Sequence, residues 1–355
     1  MVKHLPPSIK QLLALRNPNV LPGPPLPKLY NLFVRTSRDA KLKNAETGWL
    51  VLTTCTLLTA NRPASVGHLY RFVTNPNTNE PGSRVNVAQA VNKAALIRES
   101  ALKSAIFVGV PRVILSLAAL HEALDDDVKK SLRSQSRRLA TPENIESTIM
   151  RGQTLWNSIY APHAEKLHDK LGAYHPDFIS FIIQAYGSVL APLPGGTKAF
   201  ADASSLDDSD QGNLSRALGS VVGIATLRAE GRVGPQLTSH TFGLLKARNV
   251  EGLSAEDAWL ASDEGTEWVL RTVDEILDVV SSEEQEAEVK MKFSSAALYL
   301  GLCIDCIVSR NSTRFHTLSA SLSFHNLLSD ETKRARNARM IDLGAGSVDA
   351  AADED

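Results

Sequence analysis

The sequence predicts an all-α fold. Runs of alanine, leucine and charged residues fill most of its 355 positions, and few segments alternate β-branched with polar residues. Hydrophobic residues make up 43% of the chain, which is enough for a sizeable core. The three cysteines are too few for a disulfide scaffold, so we expect an intracellular protein.

The overall charge is balanced, with 38 basic against 39 acidic residues. Such a balance gives no reason to expect nucleic acid or an anionic membrane as a partner. No uncharged apolar stretch reaches the roughly 20 residues that a membrane-spanning helix needs. The nearest one, residues 293–309, contains Asp305 and is predicted to be a buried helix.

Residues 1–28 are predicted to form a basic, proline-rich arm. No acidic residue precedes Asp39, and the run from Ile9 to Arg16 mixes apolar and basic residues, as mitochondrial presequences do. The prolines that follow also fit a surface helix and an extended arm. The expected location is therefore the cytoplasm, with the mitochondrion as the alternative.

A first helical unit is predicted over residues 29–128. The uncharged apolar run 48–60 ends at Asn61-Arg62-Pro63, where a proline can begin the next helix, so two antiparallel helices are expected. A further amphipathic helix over 87–107 breaks at Gly109-Val110-Pro111. The helix after it, over 112–124, ends at three consecutive aspartates.

Residues 129–144 are predicted to be a basic linker. Five basic side chains stand among serines between positions 129 and 138, which fits either a nucleic-acid patch or a solvated linker helix. The segment has no aromatic residue to stack on bases, and this favours the linker. Thr141 is the expected N-cap of the next helix, which Pro142 begins.

A second unit is predicted over residues 145–280. We expect one long helix over 145–171, another from His175-Pro176 to Leu190, and three more over 213–228, 235–248 and 263–280. Residues 194–212 are predicted to be a flexible acidic loop, because their aspartates lack the glutamate that completes a calcium loop. A C-terminal helical extension over 281–330 and a disordered tail over 331–355 complete the chain.

One histidine is placed as a candidate functional residue. In the helix that Pro235 begins, Leu237, His240 and Leu244 fall at spacings of three and four residues, so the imidazole shares the inward face with leucines. An inward histidine is either a ligand-binding group or a core residue that has found one hydrogen-bond partner. Spacing alone leaves both interpretations open.

Three short segments share the order of elements found in a known superfamily. They are 95–112, in which Glu99 precedes Gly109-Val110-Pro111, then Gly152–Tyr160 with His175–Phe178, and Val233–Gly243 with its His-x-x-Gly pattern. Over residues 25–280 they resemble the carboxymuconolactone decarboxylase and alkylhydroperoxidase D superfamily, in particular a fungal branch with two units. The resemblance implies a helical bundle of two related units plus the C-terminal extension, a homo-oligomer, and no cofactor.

The peroxidases of that superfamily carry Glu-x-x-Cys-x-x-Cys-x-x-x-His. Aligned on His240, this pattern places Glu230 at the glutamate and Val233 and Gln236 at the two cysteines. Both thiols are missing, so cysteine-dependent peroxidase chemistry is not expected here. What the resemblance leaves is the Glu230 and His240 pair of the branch without redox cysteines.

The function implied is acid–base chemistry on a small carboxylated or lactone-like compound, of the decarboxylase, lyase or hydrolase type. His240 is the expected proton donor or acceptor, with Glu230 as its partner. In one continuous helix these two would lie about 15 Å apart, but Gly231, Gly234 and Pro235 can turn the chain between them. The expected substrate-binding residues are Arg232, Gln236, Tyr160 and Tyr186.

Two other functions stay open at this stage. The first is a non-catalytic helical interaction protein that keeps the superfamily's shape, in a mitochondrial assembly for example. The second is redox work by Cys303 and Cys306, although an isolated Cys-x-x-Cys in an apolar run more often packs. No metal site is expected, since the spacing of His163 and His168 turns their rings to different faces of a helix.

Overall fold

The computed structural model describes residues 4–15, 23–75, 83–194 and 211–281, and all regular structure in these ranges is helical. The all-α prediction is confirmed for this part of the chain, which contains no β-strand. Within the same ranges, no helix is long and apolar enough to span a bilayer. The predicted helix 293–309 with Cys303 and Cys306, most of the acidic loop, and the C-terminal segments beyond 281 lie outside the described residues.

The helices up to residue 131 follow the predicted order. Their bounds are α1 Pro7–Ala14, α2 Leu26–Leu42, α3 Glu46–Thr59, α4 Pro63–Thr74, α5 Val87–Val108, α6 Val110–Ala123 and α7 Asp126–Ser131. The predicted breaks before Pro63 and Pro111 are confirmed, and each proline lies in the first turn of the next helix. Helix α3 is buried from Thr47 to Thr59, as its lack of charge after Glu46 allows.

The later helices depart from the prediction at two places: the predicted helix 145–171 is divided, and the short helix Ala255–Leu260 was not predicted. They are α8 Ile145–Tyr160, α9 Ala164–Tyr174, α10 Phe178–Ala185 with a π-helical turn Tyr186–Leu190, α11 Arg216–Glu230, α12 Gly234–Lys246, α13 Ala255–Leu260 and α14 263–281. The single helix predicted over 145–171 is wrong. Pro162, which follows a cis peptide bond, has no N–H to donate to a helix, so α8 and α9 are separate.

The basic linker is also not the solvated helix that was predicted. Beyond α7 the chain is non-helical up to residue 141, and Arg138 of this segment forms an ion pair with the buried Glu99 of α5. Arg138 Nε also donates to the carbonyl of Ser188 at 2.8 Å. Thr141 is not an N-cap, because the next helix begins at Ile145 and the Thr141 N–H donates to Asn144 Oδ1.

The main hydrophobic core draws helices from both predicted units. Helix α11 packs against α3 and α5, and the side chains of Val221, Ile224 and Leu50 belong to one buried cluster. A smaller cluster around Trp156 joins α8, α10 and the π-helical turn. All described residues belong to one compact unit, and the division into segments 29–128 and 145–280 stays a prediction.

The same helix junction occurs twice in the described chain. Helix α5 ends at Gly109 with φ +84°, and α11 ends at Gly231 with φ +70°. In both places a glycine adopts the left-handed backbone that favours this residue, and a proline follows in the first turn of the next helix. The second junction leads into the helix that carries His240.

Candidate functional site

His240 lies on the buried face of α12, with 2% of its surface exposed. Its ring meets the edge of Phe107 from α5, with ring centroids 5.1 Å apart. Gly223 of α11 packs against the other side, where a Cβ atom would lie only 2.7 Å from His240 Nδ1. The imidazole therefore sits at the meeting point of α5, α11 and α12.

Two tyrosines connect His240 to α8. The hydroxyls of Tyr160 and Tyr186 are 3.0 Å apart, and the Tyr186 hydroxyl is 3.4 Å from His240 Nε2. Tyr186 is the first residue of the π-helical turn, and Trp156 packs on Tyr160 with ring centroids 4.2 Å apart. The three polar groups form a short chain from the end of α8 to α12.

A buried lysine holds the π-helical turn in place. Lys103 of α5 is 1% exposed and its Nζ donates to three consecutive carbonyls, those of Val189, Leu190 and Ala191, at 2.8 to 3.1 Å. These carbonyls have no partner within the turn's own helix end, so the ammonium satisfies them. Lys103 thus fixes the element on which Tyr186 stands.

Burial keeps this group of side chains uncharged at neutral pH. Loss of solvent lowers the pKa of His240 to about 4, and the nearby positive charge of Arg216 acts in the same direction. Burial also raises the pKa of Tyr160 and raises that of Tyr186 well above its usual range. At pH 7 this hydrogen-bonded group therefore consists of a neutral imidazole and two neutral phenols. Within the described residues, His240 Nδ1 has no hydrogen-bond partner.

Arg216, in the first turn of α11, is the charged group of this region. Its guanidinium donates to Ser158 Oγ of α8 at 3.0 Å, to Ser220 Oγ, and to the carbonyl of Gly243 on α12 at 3.1 Å. Burial lowers its pKa to about 10, so the side chain is still charged at pH 7. In the described ranges no carboxylate pairs with it, and three of the five N–H donors of a guanidinium are in use.

Two cavities meet at Arg216. The one beside His240 has a volume of about 10 Å³, no more than a single water molecule needs. The other is an open groove of about 570 Å³ along α8, within the usual range for ligand sites. Leu155, Pro192 and Arg216 line both cavities, so these three side chains separate His240 from the groove.

The groove combines an apolar wall with two guanidinium groups. Its apolar lining comes from Met150, Leu155, Ala191, Pro192 and Val250. Arg151 lines the groove together with Arg216. It donates to Thr148 Oγ1 at 3.1 Å and has a buried Nε with no partner among the described residues. Ser147, Thr154 and Ser158 add hydroxyl groups.

The other predicted site residues lie away from His240. Glu230, at the end of α11, forms an ion pair with Arg112 at 2.7 Å, and Arg112 also donates to the carbonyl of Thr59. Arg232 and Gln236 are exposed. The structure thus brings Tyr160, Tyr186 and His240 together and leaves out Glu230, Arg232 and Gln236, because Gly231 directs the chain outward after α11.

Sequence reasoning missed Arg216 and Arg151. For Arg216 a signal exists: a cation in the first turn of a helix opposes the helix dipole, so an arginine at the start of the otherwise apolar α11 needs another reason to be there. Arg151 carries no comparable signal, since it stands in an ordinary amphipathic helix.

Other reactive groups in the described residues offer no alternative site. Burial raises the pKa of the Cys55 thiol to about 12, so this cysteine is an unreactive core residue. His168 and His175 lie at the surface beside Asp169 and Asp177. Within the described ranges, no three histidine, cysteine or acidic side chains stand close enough to hold a metal ion.

Comparison of the chain with protein-family models, with curated proteins and with solved structures finds no match. The resemblance to the carboxymuconolactone decarboxylase and alkylhydroperoxidase D superfamily therefore stays a prediction from the three segments quoted above.

Proposed function

We propose that this protein binds a small, mainly apolar organic carboxylate in the open groove along α8. The observation that carries the proposal is that two arginines, Arg216 and Arg151, line one largely apolar groove. Neither forms an ion pair with a carboxylate in the described part of the chain. Burying a cation without a counter-charge is costly, and an incoming carboxylate offsets that cost with charge-assisted hydrogen bonds.

The groove also indicates the size and character of the ligand. Its volume of about 570 Å³ suits a molecule larger than acetate, and its carbon-rich lining suits an aliphatic or aromatic body. The hydroxyls of Ser147 and Thr154 already donate to backbone carbonyls of α8 and its N-cap, and each can accept a hydrogen bond from a further polar group of the ligand. The predicted role of Arg232 as carboxylate-binding residue passes to Arg216 in this proposal, because Arg232 is exposed and lies outside the groove.

A second candidate function is acid–base chemistry on the bound carboxylate. It is favoured by the hydrogen bonds that link Tyr160, Tyr186 and His240. His240 and Arg216 line the same small cavity, and Arg216 also lines the groove. Neutral His240 can accept a proton from the ligand at Nδ1, which has no partner among the described residues, while Tyr186 and Tyr160 hold the ring through Nε2. Glu230 has no part in this version, since it is committed to Arg112 at the surface. Turnover requires Leu155 or Pro192 to move, because both stand between the groove and His240.

The alternative of a non-catalytic interaction protein has its own support. Large apolar side chains are exposed on α8, α10 and α12, among them Met150 and Phe181, each 62% exposed, and Phe242 at 56%. Exposed apolar groups on neighbouring helices are typical of surfaces that another chain covers. This alternative includes the homo-oligomer that the superfamily resemblance implies, and light scattering of the purified protein measures it directly.

The carboxylate proposal is tested by calorimetric titration with benzoate and octanoate. Benzamide and octanol serve as uncharged ligands of matched shape. We expect the acids to bind and the neutral analogues to bind more weakly. Arg216→Gln and Arg151→Gln should each weaken acid binding by about tenfold or more, the value of a charge-assisted hydrogen bond.

Arg248→Gln is the matched control, because Arg248 pairs with Asp263 and does not line the groove. It removes one positive charge and should leave binding unchanged. Arg151→Gln keeps the test decisive if Arg216→Gln disturbs folding. Arg216 joins three helices, whereas Arg151 contacts Thr148 on its own helix and, at the long distance of 3.5 Å, the carbonyl of Gly187. Equal binding of acids and neutral analogues, or equal acid binding by the wild type and Arg151→Gln, would overturn the proposal.

A further inference from the structure

A second pocket shares no lining residue with the two cavities at Arg216. It has a volume of about 360 Å³ and lies between α5, the end of α6, and the non-helical segment after α7. An adjoining recess of about 140 Å³ shares the side chains of Arg98, Leu117 and Arg133 with it. The two arginines therefore stand at the junction of both spaces.

Arg98 and Arg133 are poorly neutralised by the protein. Both terminal nitrogens of Arg98 point to the carbonyl of Arg133, at the long distance of 3.4 Å. Arg133 Nη1 donates to the carbonyl of Gln135, and its Nε is buried with no partner among the described residues. In the same ranges, neither arginine forms an ion pair. Burial and the neighbouring positive charges of Arg137 and Arg98 lower the pKa of Arg133.

Among the described residues that line this region, Glu99 is the one carboxylate, and it already has partners. Glu99, at the edge of the smaller recess, pairs with Arg138 and lies 3.5 Å from the ammonium of Lys103. Two cations thus contact its single charge directly, and Glu99 acts on Arg98 and Arg133 only through longer-range attraction, without an ion pair to either. Lys129 adds a further positive charge to the wall of the larger pocket, and its contact with Asp126 is loose at 3.8 Å.

The rest of the larger pocket is hydrocarbon. Four leucines line it: Leu117, Leu120, Leu124 and Leu132. The last three are almost fully buried, so the pocket wall is a part of the core rather than a loose surface patch. His121 and Ser134 complete the rim. The pocket therefore joins a strongly positive end to an apolar wall.

We propose that this pocket binds an organic phosphate monoester, with Arg98 and Arg133 on the phosphate group and the leucines on the organic part. A phosphate monoester carries nearly two negative charges at neutral pH and offers three acceptor oxygens, which matches two adjacent guanidinium groups and one ammonium. A singly charged ligand leaves part of that charge unbalanced. This site is separate from the carboxylate groove, which shares none of its lining residues.

The experiment is a calorimetric titration with phenyl phosphate, compared with benzenesulfonate and phenol, at about 0.15 M ionic strength. Benzenesulfonate has the same ring and a similar group but one negative charge, and phenol has none. We expect phenyl phosphate to bind about tenfold or more tightly than benzenesulfonate, and phenol not to bind. Arg133→Gln and Arg98→Gln should each weaken phenyl phosphate binding by about tenfold or more.

Lys130→Gln is the control, since Lys130 is exposed next to Lys129 and does not line the pocket. It should leave phenyl phosphate binding unchanged. Using two arginine variants keeps the test valid if one of them fails to fold. Equal affinity for phenyl phosphate in the wild type and in Arg133→Gln overturns the proposal, as does equal affinity for the phosphate and the sulfonate.

Discussion

Replacing His240 with asparagine should change how the stability of the protein depends on pH. The imidazole is 2% exposed, is packed between Phe107 and Gly223, and its pKa is lowered to about 4 from the ordinary value of 6.5. In the unfolded chain the same imidazole is solvated and has the ordinary pKa. Protonation therefore favours the unfolded state, and asparagine cannot be protonated in this range.

The size and sign of the effect follow from these two pKa values. One pKa unit corresponds to about 1.36 kcal/mol, so the full difference is worth about 3 kcal/mol. This contribution to the free energy of unfolding is intact above the unfolded pKa and is lost as the pH falls from 6.5 towards 4. Between pH 7 and pH 5 the wild type should lose about 2 kcal/mol more than His240→Asn does.

Urea unfolding at several pH values measures this difference. All four tryptophans lie in the described residues, so their fluorescence reports on this part of the chain. His168→Asn is the control, because His168 is a surface histidine with 47% of its side chain exposed, and its loss should leave the pH dependence as in the wild type. If wild type and His240→Asn lose stability in parallel from pH 7 to pH 5, the burial argument for His240 is refuted.

Three further outcomes test the packing around the site, each by urea unfolding. Lys103→Met should cost about 3–5 kcal/mol, because it leaves three carbonyls without their donor and the buried Glu99 with Arg138 as its remaining cation. Gly152→Ala should cost about 1–3 kcal/mol or more, since its Cβ would lie 2.0 Å from the Ile183 carbonyl oxygen. In contrast, the Cβ of Gly234→Ala meets no atom within 4 Å, so this substitution should stabilise the protein by about 0.4–1 kcal/mol. Glu230→Gln breaks a half-exposed ion pair, so it should cost less than about 1 kcal/mol and leave carboxylate binding unchanged.

The helix ends that sequence analysis placed correctly depend on local chemistry. Pro63 and Pro111 each begin a helix because a residue without an N–H loses nothing in the first turn, and the chain needs no distant contact to enforce this. Over residues 145–171 the apolar periodicity continues across Pro162, and the single helix was predicted from that periodicity. The missing N–H of Pro162 predicts the break between α8 and α9 that the structure has. Arg138 shows the opposite case: its partner, Glu99, is on another helix, so its burial has no local signal.

The candidate site also combines features that local sequence predicts with features that depend on residues distant in sequence. The helical spacing of Leu237, His240 and Leu244 places the histidine inward, and that much is visible in the sequence. Its contact with Tyr186 depends on how α12 crosses the π-helical turn, which no local pattern encodes. Alignment by spacing assigned Glu230 to the site, but the left-handed glycine after it ends α11 at the surface, where Arg112 is the nearest partner.

Balanced composition argues against a polyanionic partner, yet it does not argue against binding small anions. Charges separated by more than about 8 Å are largely screened at physiological salt, so a small ligand responds to the few groups that line its pocket. Here the acidic residues pair with surface arginines such as Arg228 and Arg248, while Arg216 and Arg98 are left facing cavities. A net charge of −1 is therefore compatible with two pockets that combine arginines with an apolar lining. The proposal of anion binding therefore rests on which arginines lack a carboxylate partner among the described residues, and not on the number of arginines.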